Sequence, residues 1–195
     1  MNALSKLQNK GEGGIDPEGI ASGLLDLIHT GAWFSAVGEK SVESEAFEIR
    51  SYLDGLDLDV DEVVWLDSWQ AAGDIAKHPD WSPAWWDAEE NQRTALFADA
   101  VGRWGEEHVL NSLARVNSVA AHSLHGPAAV AAARDAVSDA GVSRAAAGAA
   151  AQSCYLAALA RLSGRGADHP FEAKLRLFAG GRWPLCLVGK QFYIL

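Results

Sequence analysis

Cysteine is scarce in this 195-residue chain. The two present, Cys154 and Cys186, stand in the apolar runs Ser153-Cys154-Tyr155-Leu156 and Leu185-Cys186-Leu187, which reads as two buried, reduced thiols rather than a disulfide framework. Long hydrophobic runs are missing too. Nowhere do eighteen apolar residues follow one another, and Met1–Gly14 has no apolar stretch of signal-peptide length, so a soluble cytoplasmic protein is expected. Positive charge is in deficit. With 16 basic and 26 acidic side chains the net charge is −10, which disfavours nucleic acid and anionic membranes and favours a basic protein partner. Phosphate-cradling glycine loops are absent, because Gly11-Glu12-Gly13-Gly14 follows no strand, and Ser153-Cys154 lacks the Gly-x-Ser-x-Gly setting of a nucleophile elbow.

What the chain does have is charge gathered in one place. Residues 54–90 hold eleven carboxylates and one basic side chain, Lys77, a net −10, while residues 1–53 sum to −4, residues 91–160 to zero and residues 161–195 to +4. Five of the eight tryptophans, Trp65, Trp69, Trp81, Trp85 and Trp86, fall in the same stretch. Carboxylates steer a cation over long range, and tryptophan anchors interfaces. Core packing accounts for Trp65 and Trp69. The expected partner-binding set is therefore Asp80, Trp81, Trp85, Trp86, Asp87, Glu89 and Glu90, with Trp81 also placed to staple onto Trp86 and Trp85 as the sharpest single test.

Hydrophobic periodicity predicts an all-α fold: a single-domain bundle of six to seven helices over residues 15–195, after a flexible leader at 1–14, closing on a short β-hairpin at about 183–195. Asp16-Pro17 starts the first helix and Gly31 or Gly38 ends it. A second runs from about Val42 to Leu53, with Phe47 among its inward residues. Asp59 and Glu62 suggest a capping box for a third, reaching Lys77, with Trp65, Trp69, Ala72 and Ala76 on one face. Ser82-Pro83 opens a fourth. Further helices follow at Glu106–His125, from Gly126-Pro127 to Gly141, at Val142–Leu162 and at Phe171–Phe178. The alanine-rich one, Val142–Leu162, is taken as central.

Metal chemistry finds little footing, and no cofactor is expected. Asp57, Asp59 and Asp61 begin like a calcium loop, but Glu62 occupies the glycine position and Ser68 the bidentate glutamate position. His122 and His125 share a helix face and are the weak metal candidates. On that face Arg115 and His122 resemble the Arg-x₄₋₆-His motif of all-helical HEPN ribonucleases, as do Arg103 and His108. That resemblance implies metal-free RNA cleavage by a dimer, with Arg115 on the phosphate and His122 moving the proton.

A second resemblance covers Asn117–Ala160. Ala120-Ala121-His122-Ser123-Leu124-His125, Ala131-Ala132-Ala133-Arg134 and Ala145-Ala146-Ala147-Gly148-Ala149-Ala150-Ala151-Gln152 look like the Ala/His-rich helices of immunity proteins in bacterial polymorphic toxin systems. It implies a non-catalytic protein that neutralises a basic toxin. A binder of a cationic small molecule is the remaining alternative, and it expects Trp65, Trp69, Trp81 and Trp86 to converge on one concave site. A homo-oligomer is compatible with each of these readings.

Overall fold

The computed structural model describes residues 16–37, 39, 43–135, 140–166 and 168–195; the expected leader, Val42 and Val137 lie outside them. Among the described residues there are eight helices and three strands. The helices are α1 (Pro17–Thr30), α2 (Glu43–Gly55), α3 (Trp69–Ile75), α4 (Ala84–Trp104), α5 (Glu106–Ser123), α6 (His125–Arg134), α7 (Ala140–Leu162) and α8 (Pro170–Ala179). The strands are β1 (Glu62–Trp65), β2 (Pro184–Val188) and β3 (Gln191–Ile194), in sheet order β1-β3-β2. The chain is a mostly helical bundle with a small sheet, as the periodicity predicts.

Local chemistry explains most of the boundaries. Asp16 accepts a hydrogen bond from the Gly19 amide at 2.7 Å, Pro17 takes the first helical position, and Gly31 closes α1. In the hairpin, Gly189 takes φ 59°, the first central position of the expected type II′ turn. At the end of α8, Gly181 adopts φ 103°, and a Cβ there would stand 2.7 Å from the Ala36 amide nitrogen, so only glycine fits.

One element differs in kind. The helix expected from Asp59 to Lys77 is instead a strand, a connection and a short helix, and the Asp59/Glu62 capping box does not form. Glu62-Val63-Val64-Trp65 pairs in parallel with Gln191–Ile194, covering the second edge of β3. Sheet pairing prevails there because β-branched and aromatic residues suit a pleated surface and β3 offers unpaired backbone groups. Helix α3 then starts at Ser68, whose Oγ accepts from the Ala71 amide at 3.3 Å. Trp65 and Trp69 consequently sit on different elements. Phe47, expected inward, is 67 % exposed.

The core forms around α7, which packs against α1, α3, α4, α5, α6 and α8. Its buried face is made of Ala146, Ala150, Cys154, Ala157 and Ala158, side chains small enough for backbones to approach closely. A second core region is aromatic: Trp69 lies 5.7 Å from Phe34 and 5.6 Å from Trp183 between ring centroids. Cys154 and Cys186 are free and buried, and burial pushes both thiols up to about 12.

Candidate functional site

The acidic stretch does not stay linear. Glu62 is in register with Gln191, Gln191 with Val188, and Val188 forms an isolated bridge with Trp81. These four residues make one row across the turn end of the sheet, so strand spacing alone sets Glu62 and Trp81 roughly 14 Å apart. The acidic run ending at Glu62 and the pair Asp80-Trp81, separated in sequence, are thereby carried to one end of the sheet, and Asp87 follows in the first turn of α4. Lys190 stands between them and pairs with Asp59 at 2.6 Å.

At that edge the expected residues divide. Asp80 and Asp87 are exposed and, among the described residues, have no ion pair. Trp81 is 45 % exposed although its indole donates to the Ile75 carbonyl at 3.0 Å, and Trp86 is 59 % exposed. Glu90 is clamped by Arg93 through bonds of 2.7 and 2.5 Å, and that hydrogen-bonded guanidinium holds its carboxyl below the usual range.

Trp85 and Glu89 leave the expected set altogether. They face inward, into a polar network inside the fold. Glu89, 5 % exposed, accepts at Oε1 from the Tyr52 hydroxyl at 2.5 Å and from Lys174 Nζ at 2.6 Å. The Trp85 indole donates to the same Tyr52 hydroxyl, and Lys174 lies 5.0 Å from the Trp85 ring centroid. Burial first, and the Glu89 charge second, raise Tyr52 well above an ordinary phenol. The network joins α2, α4 and α8. Its signal was present at helical spacing: Glu89 lies four residues after Trp85 and seven before buried Leu96, and Lys174 lies between Phe171 and Phe178 on a buried helix face. A charge on an apolar stripe marks a buried pair, whereas the density of neighbouring carboxylates points Glu89 to the surface.

Comparison with family models, with curated proteins and with solved structures finds no match. The geometry therefore carries the reading by itself.

The tail's positive charge is not a free basic face. All six basic side chains of residues 161–195 are in ion pairs: Arg161 with Glu172, Arg165 with Asp99, Lys174 with Glu89, Arg176 with Glu48, Arg182 with Glu45 and Lys190 with Asp59. Arg182, 2 % exposed, also donates to the carbonyls of Ala36 and Glu39.

Arg115 and His122 are exposed on α5, about 10.5 Å apart along its axis at the helical rise. Arg115 lines a cleft of about 470 Å³ with His108, Asn111, Asp16 and Glu18, and His122 does not reach it. His122 lies in the last turn of α5 and His125 begins α6; no group of three or more metal-capable side chains occurs among the described residues. The four tryptophans expected to converge do not: Trp65 is on β1 under Arg182, Trp69 is in the core, and only Trp81 and Trp86 are exposed.

Proposed function

We propose that this chain is a non-catalytic binding protein that presents its acidic sheet edge to a basic protein partner. The observation that carries the reading is the row Glu62, Gln191, Val188 and Trp81, which brings acidic residues from two parts of the chain to one end of the sheet around an exposed indole, with exposed Trp86 following on α4. Asp57, Asp80 and Asp87, which have no ion pair among the described residues, would accelerate encounter with a cation-rich surface, and the two indoles would supply the buried contact. The likeness of the Ala/His-rich helices to immunity proteins suggests the partner class, a basic toxin met in the cytoplasm. A nuclease suits the charge, since its own substrate is anionic.

The test is the affinity of the chain for the product of an adjacent toxin gene. Trp86→Ala should weaken the complex by about 2–4 kcal/mol through faster dissociation. Asp80→Asn with Asp87→Asn should slow association and reduce its salt dependence. If neither Trp81→Ala, Trp86→Ala nor the double Asp variant changes affinity or on-rate, the proposal fails.

Metal-free RNA cleavage is the second reading, favoured by the cleft in which His108, Asn111 and Arg115 meet. It requires cleavage that Arg115→Ala abolishes in a folded sample, with His122→Ala and His108→Ala showing which histidine moves the proton.

A further inference from the structure

Both hydrogen bonds that Glu89 accepts end on Oε1, so its second oxygen has no donor among the described residues. Glu89 borders an inner cavity of about 10 Å³ together with Trp86, Glu90, Arg93 and Gln152. That is room for a single water-sized group. Arg93 and Gln152 also line an adjoining cleft of about 510 Å³ between α4, α5 and α7, within the usual size of a ligand site. Leu110, Leu113 and Tyr155 give this outer cleft its apolar lining. Gly148 also lines it, and a Cβ on that residue would meet nothing within 4 Å.

Charge and shape narrow the occupant. Glu89 is balanced by Lys174 and Glu90 by Arg93, so the inner end is neutral overall, and a ligand of net charge would enter uncompensated. A carboxylate oxygen that accepts no hydrogen bond from the described residues favours a small N–H group beside it. Glu90 engages Arg93 at Nε and Nη2 and the Tyr155 hydroxyl bonds the same guanidinium, so Arg93, Tyr155 and the amides of Asn117 and Gln152 give the cleft a polar end suited to a carboxylate. We propose that this cleft binds a free apolar α-amino acid, its ammonium toward Glu89, its carboxylate toward Arg93, and its side chain over Leu110 and Leu113.

L-leucine and L-phenylalanine, titrated into the full chain by calorimetry and by amide NMR, are the probes. Binding should shift the resonances of Gly148, Gln152 and Asn117. N-acetyl-leucine and the matching amine without its carboxylate should each bind at least about 10-fold more weakly, each having lost one charged hydrogen-bonding group. Gly148→Leu, which enters open space and should fold, is expected to abolish binding; Glu89→Gln should weaken it, and its fold is checked by circular dichroism. No response to either amino acid at 10 mM, or equal binding of the free amine, overturns the proposal, as does undiminished binding by folded Gly148→Leu. The site goes beyond partner docking, and Gly148→Leu leaves Asp80, Trp81 and Asp87 unchanged, so the two readings fail separately.

Discussion

Asp87 and Glu89 lie two residues apart on α4 and have opposite fates. Asp87 is exposed and has no ion pair among the described residues, whereas Glu89 is 5 % exposed and holds Tyr52 and Lys174. The acidic edge and the inner network draw on the same residue types, tryptophan and carboxylate, so composition does not separate them. Helical phase does: one position faces water and the other faces α2 and α8. Charge that is desolvated must be paired and is then committed to folding, while charge left in water stays available to a partner.

The contrast can be broken most directly at Lys174. Lys174→Met leaves the Glu89 carboxylate buried without its cation and should cost about 3–5 kcal/mol, read by urea denaturation. Lys174→Met with Glu89→Met should recover most of that loss. A single-variant cost below about 1 kcal/mol would mean the pair is not truly desolvated.

Alkaline pH probes the same network. An ordinary tyrosine ionises near 10, and folded Tyr52 well above that. Between those two values the unfolded chain has lost a proton that the folded chain keeps, so stability present below pH 10 falls as pH rises. Melting temperatures from pH 8 to 11 should therefore decline less steeply in Tyr52→Phe than in the parent.

Smaller effects sharpen the boundary. Trp85→Phe keeps the ring and removes the indole donor to Tyr52, which should cost about 1 kcal/mol of stability. Asp80→Asn and Asp87→Asn should each change stability by less than about 0.5 kcal/mol, because both side chains remain in water. A larger loss in either would place that carboxylate in the fold and remove it from the edge.

The basic tail shows why part of the candidate site was illegible. A +4 segment opposite a −10 segment reads as a molecule with two charged ends, yet the tail's cations spread over α2, α4, α8 and the loop before β1. Glu89 finds Lys174 85 residues later, and Glu62 finds Gln191 129 residues later. No window on the chain contains both partners. Flanking carboxylates beside a proline turn mark Trp81, Trp85 and Trp86 alike as exposed; that holds for Trp81 and Trp86 and fails for Trp85, which the fold draws inward against Tyr52.

From sequence alone follow the helical class, the cap at Asp16, the buried thiols, the central alanine-rich helix and the Gly189-Lys190 turn. Each of these rests on residues within a turn or two of one another, where backbone sterics and hydrogen bonding act locally. Tertiary structure alone decided that residues 62–65 are a strand, that Glu89 is interior and that two acidic segments share one edge. A four-residue strand has no stability apart from the β3 backbone it pairs with, and a carboxylate becomes structural only when a distant cation and hydroxyl replace its water.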